Sequence, residues 1–216
     1  MSLPFDQTLL RWAAILMLAG GISFWTGALT PPYKQWMTSD TREYLTIIHG
    51  HKINWYIIAG TMMLGIILTV LAVQLMAQAV NYTSINRLWS ILNTASFSFG
   101  AVFVIVNFGF RLTVTMWAGD QLAATGQVEN WFQTWMDWSN LLFAVYMVLA
   151  YFSVACLGLA MRDVAFLPHW LIWFCIIFGF GGVLGFVIQF PLFAPPLMVH
   201  LPYMIVAILI LLKLKS

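Results

Sequence analysis

Six long apolar runs constrain the fold of this chain more than any other feature. A helix needs about 20 apolar residues to cross the hydrocarbon core of a bilayer. Runs of roughly that length lie at about 11–30, 53–78, 88–112, 137–160, 169–191 and 196–213. Charged residues make up only 7% of the 216 residues, against about 25% in soluble domains. The sequence therefore predicts an all-α, polytopic membrane protein, with a single six-helix transmembrane bundle over residues 1–216.

The distribution of charge predicts an orientation and excludes one class of partner. The net charge of +2 comes without a basic cluster, so the sequence offers no surface for nucleic acid. With six spans, both termini and the second and fourth loops share one side of the membrane. That side carries more Lys and Arg residues than the other, namely Arg11, Arg87, Arg162, Lys213 and Lys215. Because cytoplasmic loops are enriched in Lys and Arg, we expect both termini to be cytoplasmic.

The apolar run 88–112 carries a line of polar and small residues. At about 100° of rotation per residue, its members stay on one side of a helix. They are Asn93, Ser96, Gly100, Asn107 and Arg111. Lipid offers no hydrogen-bond partner for an amide or a guanidinium. This side of the helix should therefore face the interior of the bundle or a wet cavity.

Arg111 and Asp137 are expected to pair near the outer boundary of the membrane. At a rise of 1.5 Å per residue, they lie about 36–38 Å from the cytoplasmic-side residues Arg87 and Arg162 of their own helices. We predict an ion pair between them, with Asn140 one turn further in. One interpretation is an interfacial salt bridge that ties the third and fourth spans together. The other is an anion or lipid-headgroup site built on Arg111.

The polar residues of the interior also predict a ligand pocket. Such a pocket would suit a molecule with a polar head and an apolar body. Its predicted lining residues are Asn93, Asn107, Arg111, Asp137, Asn140 and Tyr146. The alternative for Asn93 and Asn107 is interhelical hydrogen bonding without a ligand.

Two segments between the spans carry helix signals of their own. Pro31-Pro32 closes the first span, and Asp40 with Glu43 forms a D-x-x-E helix start that Gly50 can end. We expect a short amphipathic helix on the outer surface there. In the second outer segment, Trp131, Trp135 and Trp138 form an aromatic stripe at helical spacing.

Glycines predict close packing of the run 169–191. Gly181 and Gly185 have the small-xxx-small spacing that lets two helix backbones approach closely. We expect this packing to be intramolecular, with a dimer seam as the alternative.

Three histidines support a cofactor alternative. His49 and His51 precede the second span, and His200 begins the sixth, on the same predicted side of the membrane. Imidazoles near one surface could bind a metal or ligate a b-type haem. The favoured interpretation is nevertheless that they are solvated or packing histidines, with no metal or cofactor, because no H-x-x-x-H spacing or carboxylate-histidine cluster accompanies them.

Several short motifs resemble those of a known family. They are Gly50-His51 before the second span, Leu167-Pro168 before Trp170, the proline-rich fifth loop, and Leu201-Pro202 in a final helix that ends in lysines. In these features the chain resembles an uncharacterised family of bacterial six-helix membrane proteins, a domain of unknown function. The resemblance implies a six-helix bundle in the bacterial cytoplasmic membrane, and it carries over no catalytic residues.

The sequence favours a non-enzymatic role over an enzyme. It has no catalytic triad pattern, no phosphate loop and no intramembrane carboxylate pair, and the last absence argues against a proton pump or cation antiporter. We expect an accessory subunit of a larger membrane complex, or a binder of an apolar ligand such as a lipid, a quinone or a pigment. The alternatives are a haem-binding electron-transfer subunit and a small-solute transporter.

Overall fold

The regular secondary structure of the described part of the chain is helical, apart from one isolated β-bridge between Phe5 and Val80. The structure is a computed structural model that describes residues 5–32, 38, 40–80, 84–164, 167–188 and 197–214. These residues form seven helices and no named β-strand. The helices are α1 (Gln7–Ala28), α2 (Thr41–Gly50), α3 (Lys52–Ala79), α4 (Ser84–Thr125), α5 (Phe132–Ala160), α6 (His169–Val187) and α7 (Leu197–Lys213).

Five of these helices are long and apolar enough to cross a membrane. They are α1, α3, α4, α5 and α6, and each overlaps one predicted span. The structure is therefore that of a helical, multi-pass membrane protein. The predicted sixth span coincides with α7, an apolar helix of 17 residues. A sixth crossing and the side on which the termini lie stay predictions, and the proline-rich fifth loop lies outside the described residues.

Helix α4 is much longer than the sequence analysis predicted. It runs for 42 residues, or about 63 Å at 1.5 Å per residue, which is twice the thickness of a hydrocarbon core. The helix continues past the predicted span end at 112, because no Pro follows in it and Gly119 lies within it. Gly126 ends it with a positive φ of 72°, and its N–H donates to Leu122 O at 2.8 Å. We call the region of this terminus, with α2 and the first turns of α5, the α2 end of the bundle.

The predicted helix start at Asp40 is confirmed. The Asp40 carboxylate caps α2 by accepting a hydrogen bond from the Glu43 N–H at 2.7 Å. The Glu43 carboxylate in turn accepts from the Thr38 hydroxyl at 2.7 Å. The helix buries one face, formed by Tyr44, Leu45 and Ile48, and leaves the other exposed. This amphipathic pattern seats α2 on the bundle, and α4 is the helix that it packs against most.

Glycines allow the closest helix contacts. In the α1–α3 pair, a Cβ added to Gly65 would lie 2.6 Å from the carbonyl oxygen of Gly20. In the α5–α6 pair, Gly179 lies against the backbone of Ala155 and Gly182 against the ring of Tyr151. Gly181 faces open space, so the predicted Gly181–Gly185 spacing is not the contact surface. Helix α6 packs on α5 through Gly179 and Gly182 instead, and the choice between intramolecular packing and a dimer seam for Gly181 and Gly185 stays a prediction.

Candidate functional site

Arg111 lies at the α2 end, where three helices meet. Its side chain is largely enclosed, with 9% of the residue exposed. Nε donates to Asn107 Oδ1 at 3.0 Å, one turn earlier on α4. Nη1 donates to the Tyr44 hydroxyl of α2 at 2.9 Å, and Nη2 donates to Asn140 Oδ1 of α5 at 2.9 Å. The guanidinium thus joins α2, α4 and α5, and we call these four residues the Arg111 cluster.

The predicted ion pair between Arg111 and Asp137 is wrong. Asp137 instead accepts a hydrogen bond from Gln133 Nε2 at 2.8 Å on its own helix. The physical reason is helical phase. Ser139 of α5 contacts Asn107 of α4, and Asp137 lies two residues earlier, about 200° around the helix. Asn140 lies only about 100° from Ser139, and it takes the place at Arg111 that the prediction gave to Asp137.

No carboxylate in the described part of the chain forms an ion pair with Arg111. All seven Asp and Glu residues of the chain lie in the described segments. The ion pairs found there join Asp120 to His49 and Lys52, and Asp163 to Arg162. Every hydrogen-bond partner of the Arg111 side chain in the described part of the chain is a neutral oxygen.

Asn107 holds the cluster to α5. Its Nδ2 donates to the carbonyl oxygen and the hydroxyl of Ser139, at 2.5 and 2.6 Å. Its Oδ1 is then directed at Arg111. Both Asn107 and Ser139 are buried, so this amide is fixed in one orientation. Asn107, predicted either as a lining residue or as an interhelical contact, is both a neighbour of Arg111 and an interhelical hydrogen-bonding group.

The other predicted pocket residues lie in separate clusters deeper in the bundle. Asn93 Oδ1 lies 2.6 Å from Ser153 Oγ and accepts from the Tyr203 hydroxyl at 3.1 Å. This contact joins α4, α5 and α7. Tyr146 lies with its hydroxyl 3.3 Å from His200 Nε2. The structure therefore brings Asn107, Arg111 and Asn140 together, but Asn93 and Tyr146 belong to two other hydrogen-bonded groups.

The three histidines occupy different environments. His200 is fully buried in the core, and its ring stacks on Phe24 with centroids 4.2 Å apart. His49 lies at the surface of the α2 end, with Nδ1 2.8 Å from Asp120 Oδ1, and His51 is exposed. Among the described residues, no group of three or more His, Cys, Asp or Glu is placed to hold a metal ion. The haem alternative stays a prediction.

An aromatic groove lies between α4 and α5 at the α2 end. Its volume is about 490 Å³, and its lining residues are Phe110, Thr113, Val114, Trp117, Trp131 and Trp135. Trp117 stacks on Trp131 with centroids 5.3 Å apart, and Phe110 stacks on Trp135 at 6.5 Å. The α5 side of the groove was predicted as an aromatic stripe, whereas its α4 side lies partly beyond the predicted span end at 112 and was not predicted. The i, i+3, i+4, i+7 spacing of Phe110 to Trp117 is the signal that would have identified it.

The groove and the Arg111 cluster lie on either side of the contact between α4 and α5. Asn107 and Val114 are one heptad apart on the α4 face turned toward α5. By helical phase, Phe110 and Trp117 lie on one flank of that face and Arg111 lies on the other. Val114 lies three residues after Arg111, a spacing that places two Cβ atoms about 5–6 Å apart. An apolar surface and a buried cation therefore lie at the same level of α4, on opposite flanks of its contact with α5.

Comparison of the chain with known protein families, with curated proteins and with solved structures finds no match. The resemblance to a bacterial six-helix family accordingly stays a prediction.

Proposed function

We propose that this chain is a non-enzymatic membrane protein that binds an amphipathic small molecule, such as a lipid, a quinone or a pigment, at its α2 end. The apolar body of the ligand would occupy the aromatic groove, and its polar head would lie toward the Arg111 cluster. The proposal includes six spans in a bacterial cytoplasmic membrane, with both termini cytoplasmic and the α2 end on the opposite side.

One observation carries the proposal: an apolar groove and a buried polar cluster lie on the two flanks of one contact between α4 and α5, within one turn of each other along α4. The groove is open along one side, with Trp117 and Trp135 about half exposed, and its volume of about 490 Å³ lies within the range of about 300–1,000 Å³ found for small-molecule sites. Thr113 is the one polar residue in its lining, and its hydroxyl already donates to Gly109 O at 2.8 Å. The groove thus suits an uncharged, apolar part of a ligand.

The arrangement of the rings favours an alkyl chain or a flat ring over a cation in the groove. Two of the ring contacts are near-parallel, at 25° for Trp117 with Trp131 and 21° for Phe110 with Trp135. A quaternary ammonium group needs an open ring face. Here each of the four rings turns one face toward another ring, so fewer faces are free to surround a cation.

Filling the groove tests the proposal. Thr113 is exposed on the groove wall, so Thr113→Trp should occupy the space of the ligand without disturbing the core. Val102→Trp is the matched control, because Val102 is an exposed residue of the same helix, outside the groove. Each protein is purified from native membrane under mild solubilisation, and copurifying small molecules are identified by mass spectrometry.

We expect an amphipathic molecule to copurify with the unaltered chain and with Val102→Trp, and to be reduced at least about tenfold, or 1.4 kcal/mol, in Thr113→Trp. The proposal fails if no such molecule copurifies with the unaltered chain, or if both variants retain it equally. The accessory-subunit, electron-transfer and transporter functions stay predictions.

A further inference from the structure

We infer that the Arg111 cluster is a binding site for an oxyanion, a carboxylate or a phosphate, which forms the head of the ligand. The inference rests on the proposed function for the apolar body of that ligand, but the charge of the head follows from separate observations on Arg111.

The first observation is the missing counter-ion. Arg111 is about nine-tenths buried, and a guanidinium keeps its positive charge at any physiological pH. Burial of a charge is costly unless an opposite charge or a full set of hydrogen bonds offsets it. The partners of Arg111 among the described residues are a phenol and two amides, all neutral. None of the seven Asp and Glu residues forms an ion pair with Arg111, and an incoming anion would supply that direct contact.

The second observation is the surplus of donors. A guanidinium has five N–H bonds, and three of them are used by Asn107, Tyr44 and Asn140. One N–H on each terminal nitrogen is left without an acceptor in the described part of the chain. Carboxylates and phosphates accept two N–H groups from one guanidinium, so the number of free donors is the number that one oxyanion can bind.

Tyr44 and Asn140 add donors of their own. The Tyr44 oxygen accepts from Arg111, which leaves its O–H proton free to donate. Asn140 Oδ1 also accepts from Arg111, so its NH₂ group is directed elsewhere. Neither group has an acceptor among the described residues. The cluster therefore has N–H and O–H donors close to one positive charge, and an acceptor-rich anion would be able to bind several of them at once.

Asn140 also indicates where an anion would reach the cluster. It is exposed, as are Gln133 and Asp137 on the same helix. Asp137 lies three residues from Asn140, hence about 5–6 Å away between Cβ atoms, and its charge opposes an approaching anion. The site is thus accessible from the α5 side, with one carboxylate near its opening.

The test compares ligands that share one alkyl chain and differ only in their polar head group. The full chain in an uncharged maltoside detergent is titrated with a long-chain fatty acid, the alkyl phosphate and the alcohol of equal chain length, and with inorganic phosphate alone. Binding is followed by tryptophan fluorescence, since three tryptophans line the groove. We expect the acid and the alkyl phosphate to bind at least about tenfold more tightly than the alcohol.

Three substitutions test whether Arg111 causes the tighter binding of the acid and the alkyl phosphate. Arg111→Gln should abolish the preference and leave alcohol binding intact. Arg162→Gln, at the opposite terminus of α5 with its side chain 64% exposed, should keep it. Tyr44→Phe removes one donor and keeps the cation, so it should weaken acid binding by about three- to tenfold without affecting the alcohol. If Arg111→Gln does not fold, Tyr44→Phe tests the oxyanion site in its place.

Equal binding of acid and alcohol by the unaltered chain would overturn the inference, and so would equal behaviour of the Arg111 and Arg162 variants. Binding of inorganic phosphate alone would support the oxyanion site and identify a free anion as a sufficient ligand. If phosphate binds but no amphiphile does, the oxyanion site stands and the proposed function fails. If alcohol and acid bind alike and Thr113→Trp blocks both, the proposed function stands and the oxyanion site fails.

Discussion

Arg111 donates a hydrogen bond to the hydroxyl of Tyr44, 67 residues earlier in the chain, at 2.9 Å. The contact ties the short helix α2 to the most deeply placed charge of the α2 end. It also explains why the Tyr44 side of α2 is buried while the opposite face of the helix is exposed. Helix α2 is therefore part of the Arg111 cluster and not only a surface segment between two spans.

Asn107→Ala should destabilise the α2 end. The substitution leaves Ser139 Oγ without its Asn107 donor and Arg111 Nε without its acceptor. We expect a loss of about 1–3 kcal/mol in the free energy of unfolding, the usual cost of unsatisfied buried groups. Thermal unfolding in detergent measures it. Asn54→Ala removes an exposed amide contact to Pro31 O and is the control; equal midpoints for the two variants would contradict the prediction.

Gly65→Ala should loosen the α1–α3 pair. The new methyl group would lie 2.6 Å from Gly20 O and 2.7 Å from Phe24 N, and these backbone atoms can move only if the helices separate. Overpacking of this kind costs about 1–3 kcal/mol. Gly60→Ala on the same helix meets no atom within 4 Å, so it should be neutral or stabilise α3 by about 0.5–1 kcal/mol. Urea or thermal unfolding of the two variants should give shifts of opposite sign or clearly different size.

Ser153 and Tyr203 should be energetically coupled. Their hydroxyl oxygens lie 2.6 Å apart, and both contact Asn93 Oδ1. A double-mutant cycle with Ser153→Ala and Tyr203→Phe should give a coupling of about 0.6 kcal/mol, with an upper value near 1.7, as measured for hydrogen bonds between membrane helices. If the changes in the free energy of unfolding caused by the two substitutions are strictly additive, this cluster does not hold α7 to α5.

The proposed topology predicts a labelling pattern. In a background with Cys156→Ala and Cys175→Ala, Asp120→Cys should react with a membrane-impermeant maleimide in intact cells. Asp6→Cys and Ser216→Cys should react only after the membrane is opened, because six spans return both termini to the cytoplasmic side. Labelling of only one of these two termini in intact cells would mean that an odd number of helices crosses the membrane.

Local signals in the sequence predicted the local structure well. The start of α2 follows from Asp40 and Glu43, because capping is decided within four residues. The far end of α4 was missed for a related reason: hydropathy falls after Arg111, but the helix itself ends only where Gly126 allows a positive φ. A drop in hydropathy marks the membrane boundary, and it does not mark the end of a helix.

The partners of Arg111 were harder to predict. The depth of a residue along a helix follows from the rise per residue, and that reasoning placed α5 residues near Asp137 at the level of Arg111. The direction of a side chain depends on how each helix is rotated in the bundle, which is decided by packing over the whole interface. Tyr44 also lies in a different helix, so neither depth nor spacing identified it.

The continuity of α4 has a mechanical consequence. A single helix of 42 residues with no proline is about 63 Å long and would tilt as one unit. Membrane helices change tilt when the thickness of the bilayer changes. A tilt of about 10° around the midpoint would displace Thr125 by about 5 Å relative to the membrane normal, from the length of the helix alone. The geometry of the α2 end is thereby linked to the thickness of the surrounding lipid.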